Sequence, residues 1–255
     1  MAWDLGSGLE GKGVIVTGAG GGIGRPTAEM FAAAGARVMA VDLRREAVDE
    51  VVAGMEGDGH IAAGCDLTDL DAQSALVDRA VDELGNLYAL AHLAAVLRRR
   101  SSMDDVTEED WDFQIDTNLK ASFFLARKSA NAMIAGGVGG RMILFSSQGW
   151  WSGGFGGSTA YCASKGGIVS MSRGMARTYG PHQITVNVVS PGQAATSMLL
   201  TDLDPAVLES MTADTPLGRI ADPSEIAPVV VFLASHHARF VSGATINVSG
   251  ALQMY

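Results

Sequence analysis

Cysteine is nearly absent from this chain: Cys65 and Cys162 stand far apart, without C-x-x-C or His-rich spacing. That excludes a disulfide framework and a zinc site, predicts no metal, and fits a reducing, cytoplasmic compartment. Basic residues are also few, 18 Lys and Arg against 28 Asp and Glu, for a formal charge of -10. A field of that sign repels nucleic-acid backbones and anionic membrane surfaces, so neither is expected as a partner. No apolar run approaches the roughly 18 residues that a membrane-spanning helix needs. Met1 to Lys12 holds no basic stretch followed by an apolar one, so no signal peptide is expected. Prolines number only 7, and no Pro/Ser-rich linker separates one part of the chain from another. One domain over residues 1–255 is the simplest expectation.

Glycine, by contrast, is plentiful at 32 residues, and it clusters at punctuation points without a period, which excludes collagen-like and solenoid architectures. With 47% hydrophobic residues the chain can bury a large core. Short runs at Val14 to Thr17, Arg37 to Val41, Ile61 to Cys65, Tyr88 to Leu93, Met142 to Phe145, Thr185 to Val189 and Thr245 to Val248 read as strands. Most are almost wholly apolar, as strands buried on both faces of a parallel sheet must be. Helical patterns lie between them, at Pro26 to Ala34, Arg44 to Met55, Leu70 to Leu84, Glu108 to Ile134, Thr159 to Tyr179 and Pro223 to Ala234. This alternation predicts a doubly wound α/β fold. Thr107 with Asp110 forms a capping box, Asp222 before Pro223 is an N-cap, and Gly35 and Gly180 sit where helices should stop.

Directly after the first strand comes Thr17-Gly18-Ala19-Gly20-Gly21-Gly22-Ile23-Gly24, which opens a helix. Strand, tight turn and helix N-terminus together let backbone amides approach a pyrophosphate. Asp42, at the end of the second strand and followed by Leu43, is placed to accept hydrogen bonds from an adenosine ribose. A 2'-phosphate would face that fixed negative charge, so NAD(H) is expected in preference to NADP(H). Arg44 and Arg45 are either phosphate-tolerant neighbours or helix-face residues. Asp66, before Leu67, either meets the adenine edge or caps the next helix.

Tyr161-Cys162-Ala163-Ser164-Lys165 places a phenol and an ammonium four residues apart on one helix face. Tyrosine titrates near pH ~10 and is a poor proton shuttle at neutral pH unless a positive charge favours the phenolate. Lys165 is expected to supply that charge.

With the Thr17 to Gly24 turn, Asp42, Asn118 in Asp116-Thr117-Asn118-Leu119-Lys120, Ser146-Ser147, Tyr161 with Lys165, and Pro191-Gly192-x-x-x-Thr196, the chain resembles the single-domain short-chain dehydrogenases/reductases along nearly its whole length. The resemblance implies a Rossmann-type three-layer fold with a seven-stranded parallel sheet in the order 3-2-1-4-5-6-7. It also implies a homotetramer and hydride exchange between nicotinamide and an alcohol or ketone. Tyr161 would then be the general acid or base, and Lys165 would tune it and hold the nicotinamide ribose. Ser147, preferred to Ser146 as the second of the pair, would bind the substrate oxygen, and Asn118 would hold a water on the proton route. Gly18, Gly20, Gly21, Gly22, Ile23, Gly24, Asp42, Leu43, Asp66, Leu67, Ala94, Ala95, Pro191, Gly192, Ala194 and Thr196 complete the expected cofactor site.

One strand departs from that family. His92-Leu93-Ala94-Ala95 stands where relatives usually carry Asn-Asn-Ala-Gly, so the asparagine hydrogen bonds that brace the central sheet are expected to be lost, while His92 reads as a structural histidine donating to a neighbouring strand rather than a catalytic one. The expected substrate wall comprises Ser147, Gly149, Trp150, Trp151, Phe155 and Met198. Residues from about 193 to 215, with Met198, Leu199, Leu200, Leu203 and Met211, read either as a substrate-covering segment or as ordinary core. The run Arg98-Arg99-Arg100 reads either as a solvated loop or as a docking point for an anion or a phosphopantetheine carrier. The leading expectation is an NAD(H)-dependent dehydrogenase of an apolar or cyclic secondary alcohol. A 3-oxoacyl-thioester reductase and a non-catalytic nucleotide sensor are the alternatives.

Overall fold

The computed structural model describes residues 4–154, 156–201 and 203–255. Strands β1 (Gly13–Thr17), β2 (Arg37–Asp42), β3 (Ile61–Gly64), β4 (Ala89–His92), β5 (Gly140–Phe145), β6 (Ile184–Pro191) and β7 (Thr245–Val248) form one sheet. Their order is β3-β2-β1-β4-β5-β6-β7, and every neighbouring pair is parallel. Ten α-helices are described around it: α1 (Gly24–Ala33), α2 (Glu46–Ala53), α3 (Leu70–Leu84), α4 (Glu108–Ile115), α5 (Ala121–Gly136), α6 (Gly149–Ser152), α7 (Thr159–Tyr179), α8 (Ser197–Leu200), α9 (Pro205–Asp214) and α10 (Ala227–Ala234). This is the Rossmann-type doubly wound α/β fold.

Side-chain alternation along the strands splits the core into two layers. Val14 and Val16 of β1 pack with Phe31 of α1 and Val230 of α10 on one face. Ile15 packs with Val77 of α3, Leu125 of α5 and Ile168 of α7 on the other. Each such fully buried aliphatic side chain contributes about 1.5–3 kcal/mol, more than one helix cap, so these runs dictate the sheet. β1 pairs with β2 on one side and β4 on the other. The strand order therefore reverses at β1, and a crevice forms beyond the carboxyl ends of the strands, where open α/β sheets bind ligands.

Two local expectations are corrected. The stretch read as one helix from Glu108 to Ile134 is two, separated by a π turn over Asp116–Lys120. Gly180 stands where α7 stops, as expected, and the chain then passes through a 3-10 turn, Gly180–His182, and reverses at Gln183, whose φ is 59°. Asp222 caps a 3-10 turn, Pro223–Glu225, and α10 begins only after it. The capping box joining Thr107 and Asp110 is present, and α3 starts under Asp69, whose carboxylate accepts from the amides of Asp71 and Ala72.

Candidate active site

A cavity of about 1010 Å³ lies over the carboxyl ends of β1, β2, β4, β5 and β6. Its wall includes Gly18, Gly21, Gly22, Ile23, Gly24, Asp42, Leu43, Asp66, Leu67, Ala94, Ala95, Ser147, Gly149, Tyr161, Lys165, Pro191, Gly192, Ala194, Thr196 and Met198. The glycine-rich turn is shaped for close approach. Gly18 has φ +67°, and a Cβ there would stand 2.9 Å from the Ala94 nitrogen, against the loop that leaves β4. A Cβ on Gly24 would meet the Gly18 oxygen, so glycine is what lets α1 begin directly beneath the turn. Among the described residues the amides of Gly21, Gly22 and Ile23 donate to no acceptor within the protein. A helix N-terminus with free amides and no Cβ in the way suits a pyrophosphate, so these residues fit a dinucleotide.

Gly20 is not on the wall, because its amide turns to Asp42 Oδ2 at 3.0 Å. The other Asp42 oxygen accepts from the Leu43 amide at 2.8 Å. Two backbone donors thus fix this carboxylate at the end of β2. Arg45 pairs with Asp49 along α2 at 3.3 Å, and neither Arg44 nor Arg45 lines the cavity. Asp66 is not a helix cap. Its Oδ1 accepts from the amide and hydroxyl of Thr68, which holds its carboxyl below the usual carboxylate range, while Asp69 caps α3.

At β4 His92 is the structural histidine expected, bonded to the neighbouring strand in place of the missing asparagines. Thr17 Oγ1 accepts from the amides of Leu93 and Ala94, both at 3.2 Å, so its own hydrogen goes to His92 Nδ1 at 2.7 Å. His92 Nε2 then carries the ring hydrogen and donates to Ser122 Oγ at 2.8 Å, and Ser122 donates to the Asn118 carbonyl at 2.6 Å. One directional chain therefore ties β1 and β4 to the π turn. Burial, with Lys165 nearby, pushes the His92 pKa down to about 3. An unfolded chain takes up a proton on His92 below its ordinary value of 6.5, while the folded chain refuses it until about pH 3. Stability should thus fall as pH drops through that window, by about 1.4 kcal/mol per pH unit. His92→Asn should flatten the slope in urea unfolding followed from pH 7 to pH 4; an unchanged slope would place the titration elsewhere.

Ser146 and Ser147 have different partners. The Ser146 hydroxyl donates to the Lys165 carbonyl at 2.9 Å and is buried against α7. Ser147 lines the cavity, accepts from the Gly149 amide at 3.2 Å, and donates to the Tyr161 oxygen. Lys165 is buried, donates to the Phe145 carbonyl at 3.0 Å, and stands 5.7 Å from the centroid of the Tyr161 ring. Asn118 is behind the wall. Its Oδ1 accepts from the Val96 amide at 2.8 Å, while Nδ2 donates to the Val96 carbonyl at 2.9 Å and to Ser164 Oγ at 3.3 Å. π turns of this kind are frequent at functional sites, and here one aims the amide at the loop after β4.

Burial pushes the Tyr161 phenol up to about 12, against the opposing hydrogen bond from Ser147; Cys162 adds to the rise and the charge of Arg99 lowers it. Burial brings Lys165 down to about 8. The Lys165 ammonium, held by the Phe145 carbonyl, stands as a buried cation beside the phenol.

On the substrate side Gly149 and Met198 are on the wall, but Trp150 and Trp151 are not. The short helix α6 turns both rings towards the C-terminal Tyr255, whose centroid is 4.8 Å from Trp150 and 5.8 Å from Trp151. Phe155 lies outside the described residues. Helices α8 and α9 hold no buried residue, yet Met198, Leu199 and Met211 reach the cavity. The arginine run divides: Arg98 and Arg100 both bind Asp110, and Arg99 lines the cavity. Sequence reasoning missed Phe113 and Thr117 on the wall, although both lie within one helical turn or so of Asn118.

The family model described as enoyl-(acyl carrier protein) reductase matches residues 18–252. A (3R)-3-hydroxyacyl-CoA dehydrogenase of Homo sapiens is 33% identical over 263 residues, covering 100% of this chain and 100% of that enzyme. A cis-4-hydroxycyclohexanecarboxylate dehydrogenase of Sinomonas cyclohexanicum is 35% identical over 238 residues, covering 92% of this chain and 94% of its own length. The crystal structure of a short-chain type dehydrogenase/reductase from Mycobacterium marinum superposes with a TM-score of 0.90 at 32% identity, over 99% of each chain.

Proposed function

Since the chain belongs to the short-chain dehydrogenases/reductases, an oxidoreductase family, we propose that it transfers a hydride between NAD(H) and a secondary alcohol or its ketone, with Tyr161 as general acid or base. The observation that carries this reading is one continuous wall. The Ser147 hydroxyl, the Tyr161 phenol and the Lys165 ammonium share the cavity with the glycine-rich turn and Asp42.

The nicotinamide, when bound, gives or takes the hydride. Tyr161 moves the proton at the substrate oxygen. Ser147, hydrogen-bonded to that phenol, is in reach of the same oxygen and stabilises charge developing on it. Lys165 keeps a cation buried beside the phenol, and Asn118 fixes the Val96 loop that walls the site. The amides of Gly21, Gly22 and Ile23 would hold the pyrophosphate, and Asp42 the adenosine ribose. Met198, Leu199 and Met211, on helices without a buried residue of their own, fit a covering segment over the substrate. A homotetramer belongs to the same reading, and Trp111 and Phe123 remain exposed for contact with like chains.

NAD is favoured because the Asp42 carboxylate is held by two amides and no arginine beside it faces the cavity. Asp42→Ala should move the ratio of kcat/KM for NAD over NADP towards NADP by about tenfold or more, a change of about 1.4 kcal/mol. An unchanged ratio would show that Asp42 does not read the ribose. Turnover of an acetoacetyl thioester against cyclohexanone separates this reading from a thioester reductase.

A further inference from the structure

A protein of net charge -10 repels small anions, so an anionic substrate needs a cation at the point of entry. Among the described residues, the charged ones on the cavity wall are Asp42, Asp66, Arg99, Asp116 and Lys165. Asp42 and Asp66 belong to the nucleotide end. Asp116 accepts from Lys120 at 3.2 Å, and the Lys165 ammonium donates to the Phe145 carbonyl.

Arg99 differs from its neighbours. Arg100 grips Asp110 with two hydrogen bonds of 2.7 Å, and Arg98 reaches the same carboxylate at 3.1 Å and Glu109 at 3.2 Å. Asp110 is only 1% exposed, and it is also the N3 residue of the box that starts α4. Both flanking arginines are therefore committed to the frame of the site. Among the described residues the Arg99 guanidinium has no carboxylate partner, and its charge is felt at the Tyr161 phenol. The wall that Arg99 shares with the phenol also carries the apolar side chains of Val96, Leu97, Phe113 and Met198.

We infer that Arg99 selects a hydroxy acid or oxo acid, binding a carboxylate carried a few bonds from the reacting carbon. The inference rests on the alcohol and ketone reading above and names the substrate class for it. An arginine fork pairs bidentately with a carboxylate, which fixes the orientation of the substrate as well as holding it. The apolar side chains of that wall suit a short carbon skeleton. A phosphate of a coenzyme thioester would lie a whole pantetheine arm away from the reacting carbonyl, too far for a side chain that influences Tyr161 itself.

The test compares kcat/KM for acetoacetate, levulinate and their methyl esters with NADH-loaded wild type, Arg99→Gln, Arg99→Lys and Arg98→Gln. Wild type should prefer the acids. Arg99→Gln should lower the acid-to-ester ratio by about 10- to 100-fold, mostly through KM for the acid, with partial rescue in Arg99→Lys and no change of ratio in Arg98→Gln. Calorimetric titration of cyclohexanecarboxylate into the same NADH-loaded proteins reads Arg99 without turnover, and should show weaker binding in Arg99→Gln by a similar factor. Equal use of acid and ester by a wild type that does turn over, with binding of the carboxylate unaltered in Arg99→Gln, would overturn the inference. Reduction of acetoacetyl-CoA that depends on Arg99, with the oxo acids ignored, would also overturn it. Absence of turnover with every ketone and ester would instead defeat the oxidoreductase reading, and the titration would still decide the role of Arg99.

Discussion

Tyr161→Phe is expected to lower kcat by about a hundredfold to ten-thousandfold while NADH binding stays within about a factor of two. The phenyl ring keeps the shape of the wall, and Lys165, the glycine-rich turn and Asp42 are untouched. Only the exchangeable proton is lost, together with the hydrogen bond from Ser147. The pH dependence follows from the phenol's position near 12. At neutral pH it is protonated and ready to deliver a proton to a ketone oxygen, so reduction should vary little between about pH 6 and pH 7 and fall as Lys165 loses its charge through about pH 8. Alcohol oxidation needs the phenolate, whose fraction rises about tenfold per pH unit below the pKa, so oxidation should gain with rising pH. Single-turnover kinetics with NADH fluorescence as the binding readout check both statements.

Lys165→Met should damage binding and chemistry together, lowering kcat/KM by about a hundredfold or more and raising KM for NAD. A lysine brought to about 8 is still mostly charged at pH 7, and its ammonium is the buried cation beside the phenol. Methionine preserves most of the buried volume, so a thermal melt close to wild type would show that the loss is local. The two variants therefore differ in kind: Tyr161→Phe moves kcat alone, and Lys165→Met moves kcat and cofactor affinity. A folded Lys165→Met protein with both constants intact would remove Lys165 from the site.

The parallel sheet was legible because the strands are apolar on both faces, whereas its order was implied by the family resemblance. Helices α3 and α7 have the limits that their patterns suggest, Leu70–Leu84 and Thr159–Tyr179. The π turn at Asp116–Lys120 was not legible, since one added residue per turn leaves the apolar spacing nearly intact and no glycine or proline marks it. Trp150 and Trp151 were misread as a pocket wall because their placement is decided by Tyr255, about a hundred residues away in the chain. At His92 a structural role was legible, but its partners, Thr17 and Ser122, were not, because they are distant in sequence. The same holds for the arginine run, whose division depends on the single carboxylate of Asp110. Local patterns announce elements and motifs; which way a side chain turns is settled by contacts far along the chain.

The most direct measurement is absorbance at the nicotinamide band, with wild-type protein given NAD or NADP and a panel of secondary alcohols, hydroxy acids and their ketones. The proposed reading predicts substrate-dependent reduction of NAD, faster than that of NADP, and its near-complete loss in Tyr161→Phe. Tight NADH binding with no turnover of any substrate, or a Tyr161→Phe protein that keeps more than a few per cent of the wild-type rate, would contradict it.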